Sequence, residues 1–204
     1  MQLTPDQHDA LTEVFNIGVG RAAASLSSLL GKSIALSVPR LRMCHVHEFA
    51  SESDQTAISV IQSVHGAIEG RAVLSFPETS GITLARLLGA TADVQLDAGE
   101  LDLDLSCILE EVGNIVLNAV MGTLANCAGG TVSFSIPRVA SKCAITDLLL
   151  STRREAEADC DVIIVADTEF DVTDSQIRGQ LVLAAEVLSL EQVVPQLPLG
   201  LSHC

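Results

Sequence analysis

One spacing occurs twice in this 204-residue chain: Asp9, Glu13, Asn16 and Pro39, then Cys107, Glu111, Asn114 and Pro137, every member displaced by 98 residues. Glu, Asn and Pro each supply about 5% of ordinary sequence, so a chance three-position match has a probability on the order of 10⁻² somewhere in a chain this long. The spacing therefore reads as an internal duplication, with one repeat over residues 1–95 and a second over 96–204. Two like halves in one chain restrict the fold to architectures with a pseudo-twofold axis.

Each copy of the motif falls on a helix. Thr4, Pro5, Asp6 and Gln7 form a capping box with Pro at the first helical position, and Gly31 supplies a stop after Leu30. At 100° per residue, Leu11, Val14, Phe15, Gly18, Ala22, Ser25, Leu26 and Leu29 share one side, while Asp9, Glu13, Asn16 and Gly20 share the other. In the second copy Leu105, Leu109, Val112, Val116, Val120, Leu124 and Cys127 form the inner stripe, and Cys107, Glu111, Asn114 and Asn118 the outer one. Asn118 aligns with Gly20. A mid-helix Gly costs roughly 1 kcal/mol relative to Ala, so Gly18 is read as permitting close packing and Gly20 as leaving room for a partner.

Strand-like alternation follows each helix, over 33–43 and 131–139, each with a Pro-Arg pair. Pro39 and Pro137 cannot donate a ladder hydrogen bond, which places them at edges or bulges. Further strands are expected at 56–64, 67–76, 161–168 and 176–186, and short helices at 79–88 and 188–196. The segment from Ile68 to Leu74 echoes that from Ile177 to Leu183, at an offset of 109 that implies an insertion around 147–158. Each half thus reads helix, strand, strand, strand, helix. The fold class is α+β, two-layered, with the halves sharing a mostly antiparallel sheet.

Composition narrows the function. A net charge of −15 with eleven basic residues opposes binding to nucleic acid or anionic membrane, which need Lys and Arg against phosphate. Five Phe with no Tyr or Trp leave few stacking surfaces for bases. No signal peptide is visible and no stretch reads as apolar enough to span a bilayer. Six cysteines without a Cys-x-x-Cys pair fit a reducing cytoplasm. Asp102 to Ser106 imitates an aspartate-nucleophile pattern but opens a helix. No Cys is followed six residues later by Arg, so a cysteinyl-phosphate loop is missing. Cys44, His45 and His47 are too short a cluster for a metal site, Gly18-Val19-Gly20 sits inside a helix rather than after a strand, and Asp167, Asp171 and Asp174 lack a calcium-loop pattern.

Two copies of Asp/Ser-x3-Glu-x2-Asn-x22-Pro, each on an amphipathic helix followed by strands, resemble the CheC/CheX/FliY family of bacterial chemotaxis phosphatases, most of all the two-site CheC type. The likeness spans almost the whole chain and includes Asn16-Ile17-Gly18 and Gly113-Asn114-Ile115. Cys107 departs from it where the pattern has Asp or Ser. The resemblance implies hydrolysis of the aspartyl phosphate of a CheY-type response regulator, with Glu13, Asn16, Glu111 and Asn114 catalytic. Asp9, Cys107, Pro39 and Pro137 are motif-supporting. It implies no cofactor of the chain's own, with Mg²⁺ in the regulator, and a pseudo-dimeric monomer. The alternatives are a non-catalytic regulator-binding protein of the flagellar-switch, FliM-like type, and a regulator of the CheD deamidase, which CheC-type proteins bind.

Overall fold

Thr4 opens the first helix as its neighbours prescribe: the Gln7 N–H donates to Thr4 Oγ1 at 3.2 Å and the Thr4 N–H to Gln7 Oε1 at 3.0 Å. This helix, α1, runs Pro5–Leu30 and ends at Gly31 in the left-handed conformation with φ 60°. The computed structural model describes residues 3–46, 48–49, 57–89, 103–150, 162–172, 175–185 and 187–197. Within them follow β1 (Ile34–Leu36), β2 (Arg40–His45), β3 (Ala57–Gly66), β4 (Gly70–Pro77) and α2 (Glu78–Gly89). The second half gives α3 (Leu103–Cys127), β5 (Val132–Phe134), β6 (Arg138–Cys143), α4 (Ile145–Leu150), β7 (Val162–Val172), β8 (Ser175–Ala185) and α5 (Val187–Val193). His47, Asp102, Asp174, Cys160, Cys204 and most of the expected insertion lie outside the described residues.

The long helices bury the stripes expected of them, except that Ser25 and Leu29 are exposed and Cys127 half-buried, since the buried stripes end at Leu26 in α1 and at Ala125 in α3. By length and composition α3 is apolar enough to cross a bilayer, which corrects the expectation that no stretch is. Half of its most apolar window is buried inside the fold, so here it serves as a core helix. Gly18 does what packing asked of it: a Cβ there would lie 2.7 Å from the Val120 Cα, so α1 and α3 touch backbone to backbone. Arg21 Nη1 donates to Thr123 Oγ1 across the same contact at 3.0 Å.

One eight-stranded antiparallel sheet carries both halves, in the order β1-β7-β8-β4-β3-β5, with β2 also on β7 and β6 also on β3. Each expected strand around a Pro-Arg pair is two strands, interrupted before Pro39 and before Pro137, where the missing N–H ends the ladder at the sheet's edges. The edges are exchanged. β1 and β2 of the first half pair with β7 of the second, and β5 and β6 of the second pair with β3 of the first.

The registers relate the halves residue by residue. Arg40 lies opposite Asp167 and its counterpart Arg138 opposite Ile61, which makes Gln62 the counterpart of Thr168. The sequence echo is out of step with this relation, since Ile68 sits in the turn between β3 and β4 while Ile177 lies within β8 opposite Phe170. Ile58, Val60, Val64, Ile164, Ala166 and Phe170 pack beneath α1 and α3. On the other face Ile61, Val73, Ile163, Val165 and Val182 meet Val46, Phe49 and residues of α4.

Candidate active sites

Glu13 is exposed and Asn16 half-buried one turn later on the outer side of α1; Glu111 and Asn114 repeat that placement on α3. Among the described residues neither glutamate has an ion-pair partner. Each pair is therefore offered outward on its own helix, which makes two candidate sites. Asp9 is exposed, 3.9 Å from His8 Nδ1, and Cys107, a free exposed thiol, occupies the same position on α3. Pro39 is buried and Pro137 half-buried at the strand interruptions.

Beneath Asn114 lies a network of amides. Gln62 Nε2 donates to the Ser135 carbonyl at 3.0 Å and to Asn114 Oδ1 at 3.1 Å, while Asn118 Nδ2 donates to the same Oδ1 at 3.0 Å. Gln62 stands in the inward stripe of β3 between Val60 and Val64 and is only 1% exposed. Gly113 makes the reach possible: a Cβ there would come within 2.4 Å of Val60 Cγ1, so α3 lies directly on β3. Gln62 Oε1 and Asn118 Oδ1 are buried without a hydrogen-bond partner in the chain. An unsatisfied buried polar group costs about 1–3 kcal/mol, so this arrangement is held at the expense of stability.

The first site has the same outer residues on a different support. Thr168 Oγ1 donates to the Ser37 carbonyl at 3.1 Å, as Gln62 does to Ser135, but Asn16 receives no hydrogen bond from it. Gly20 stands where Asn118 does and meets nothing within 4 Å of a built Cβ. Phe15, fully buried, takes the place of Gly113. A buried phenyl ring thus belongs to the first helix at the position where the second has no side chain and meets its strand.

Two further residues are paired by the duplication. Val38 and Ile136, each just before the motif proline, are 63% and 83% exposed. Ile136 adjoins Ser135, whose carbonyl shares Gln62 Nε2 with Asn114, so an apolar side chain stands exposed at the rim of the second site. The sequence reading missed Gln62 and the exposure of both residues. A lone Gln in the alternation Ile58, Val60, Gln62, Val64 was the available signal. Among the described residues no three His, Cys, Asp or Glu side chains converge to hold a metal ion, and His45 is exposed.

No protein-family model matches the chain. It is similar to the CheY-P phosphatase CheC of Bacillus subtilis (strain 168), 29% identical over 138 residues, 66% of this chain and 66% of that one. The match thus spans just under two thirds of that relative. The structure is similar to FliY of Thermotoga maritima, with a TM-score of 0.74 and 22% identity over 97% of this chain and 98% of that chain. It also resembles a chain of the CheX-CheY-BeF3-Mg²⁺ complex of Borrelia burgdorferi, with a TM-score of 0.51 and 17% identity over 83% of this chain and 96% of that one. With its duplicated motif and its exchanged eight-stranded sheet, the chain is similar to CheC in sequence and to FliY and CheX in fold.

Proposed function

We propose that the protein hydrolyses the aspartyl phosphate of a CheY-type response regulator in the cytoplasm, through Glu13 with Asn16 and Glu111 with Asn114. The observation that carries this reading is the repeated outward pair, an unpaired carboxylate one turn before an amide, on two equivalent rigid helices. The similarity to a CheY-P phosphatase and to a structure containing CheX with CheY supports the choice of partner.

An acyl phosphate needs little covalent help. Water forms the new bond to phosphorus, the bond from phosphorus to the aspartyl oxygen breaks, the carboxylate leaves with its electron pair, and the water proton passes to a phosphoryl oxygen. Catalysis is then a matter of position. The asparagine holds the water in line, and the glutamate pairs with a cation at the regulator's pocket and fixes the register of the helix. Mg²⁺ comes with the regulator. Ile136 and Val38, exposed at the rims, bury apolar surface against it.

The fold by itself does not separate hydrolysis from mere binding, so the test is kinetic. Loss of phosphate from a phosphorylated CheY-type regulator is followed with the parent chain, with Glu13→Ala/Asn16→Ala, with Glu111→Ala/Asn114→Ala, and with all four changes. The parent accelerates the decay and the fourfold variant does not. Equal acceleration by the fourfold variant would sink the mechanism. Binding without any acceleration would favour the switch-like alternative.

A further inference from the structure

We propose that Gln62 is a positioning residue for Asn114, and that with Asn118 it makes the second site the preorganised one. The inference rests on the phosphatase reading above. Its premise is the orientation of the amides, which chemistry fixes without ambiguity. The Ser135 carbonyl can only accept, so the Gln62 atom 3.0 Å from it is Nε2. That same nitrogen faces Asn114 at 3.1 Å, so Asn114 must turn its oxygen inward to receive it. Asn118 Nδ2 takes the second lone pair of that oxygen at 3.0 Å. The oxygen of Asn114 is saturated by the chain. Its NH₂ group is what remains for a ligand, and it donates to one lone pair of the attacking water, which leaves the other lone pair for phosphorus and one hydrogen free to pass to a phosphoryl oxygen.

Gln62 is almost wholly buried and its Oε1 has no partner. Its Nε2 is held inside the chain by Asn114 and Ser135, so its effect on a docked regulator passes through Asn114. The first site lacks each part of the device: Thr168 is spent on Ser37, Gly20 has no side chain, and a buried Phe15 stands at the position of Gly113. Asn16 must find its orientation after the partner arrives.

The test isolates each site in turn. With the first site disabled by Glu13→Ala/Asn16→Ala, Gln62→Met lowers kcat for the phosphorylated regulator about tenfold and leaves KM within about twofold, the signature of a displaced group rather than of weakened docking. With the second site disabled by Glu111→Ala/Asn114→Ala, the same substitution leaves the remaining rate unchanged. Asn118→Ala, which removes a half-buried amide and suits a helix, lowers kcat of the second site in the same sense by a smaller factor. An unchanged kcat for both variants overturns the proposal, and so does an equal loss at both sites, which marks Gln62 as structural only. A parent chain that does not accelerate the decay at all defeats the phosphatase reading itself and the proposal with it.

Discussion

The two motif helices present the same residues to solvent and stand on different ground. Under Asn114 the helix lies on β3 through Gly113 and the amide is gripped from two sides; beside Asn16 the matching position is a buried phenylalanine, and the counterparts of Gln62 and Asn118 are Thr168 and Gly20. Duplication copied what faces outward more faithfully than what lies beneath. A motif can therefore survive at full match while its support diverges, and the support decides how much ordering must occur when a partner binds.

Removing the pairs tests that contrast most severely. Glu111→Ala/Asn114→Ala lowers the rate of regulator dephosphorylation more than Glu13→Ala/Asn16→Ala does, and the fourfold change costs about 10²-fold or more, by analogy with the loss of a preorganised donor. Initial rates of phosphate release rank the variants; a larger loss at the first site would reverse the order of the two supports.

Helix packing gives the next largest effect. Gly113→Ala adds a carbon 2.4 Å from Val60 Cγ1 in a site with no spare volume. The cost is about 1–3 kcal/mol of overpacking, against about 1 kcal/mol gained in helix propensity. Gly20→Ala meets nothing and yields the gain alone, about 1 kcal/mol. Chemical denaturation of both variants shows opposite signs if the two glycines differ as described.

Ile136→Asp probes docking rather than chemistry. Removing the exposed apolar contact raises KM at the second site by a factor on the order of ten with kcat little changed, which corresponds to the roughly 1.5–3 kcal/mol of one buried aliphatic side chain less the area left uncovered. Titration of the regulator against the variant, with the first site disabled, reads this directly. The contrast with Gln62→Met, which moves kcat, separates rim from support.

The smallest effect lies in the turn after β3, which abuts the loop leading to β5 through the Ala67 N–H and the Thr131 carbonyl, 2.9 Å apart. Glu69 accepts from the Gly66 N–H at 2.8 Å and meets His65 Nδ1 at 3.0 Å, and these bonds hold its pKa below the ordinary 4.5. A carboxyl depressed on folding stabilises the protein above its unfolded pKa and loses that contribution as the pH falls through the lowered value. Its side chain is 42% exposed, so solvent screening keeps the contribution below about 0.5 kcal/mol. Urea midpoints for the parent and Glu69→Gln differ slightly at neutral pH and converge below about pH 4.

The motif helices were legible because their caps, periodicity and shared offset are local facts. Glu13, Asn16, Glu111 and Asn114 fall on the expected outer faces for the same reason. Pro39 and Pro137 announced an irregular edge, and the interruption of each strand follows from their lack of an N–H. Strand exchange was hidden, since alternation shows which face a strand buries and not which neighbour it pairs with. Gln62 was hidden for a related reason: its meaning depends on a glycine and a serine more than fifty residues away, brought to it only by the pairing of β3 with β5 and β6.

That pairing makes each half depend on the other. The helix and carbonyl of the second site come from one repeat and the glutamine from the other. A chain holding a single repeat would carry half of each site and two open sheet edges, and would complete both only by joining a second subunit. Within one chain each half supplies the strands that close the other's edge, and the two supports need not be alike.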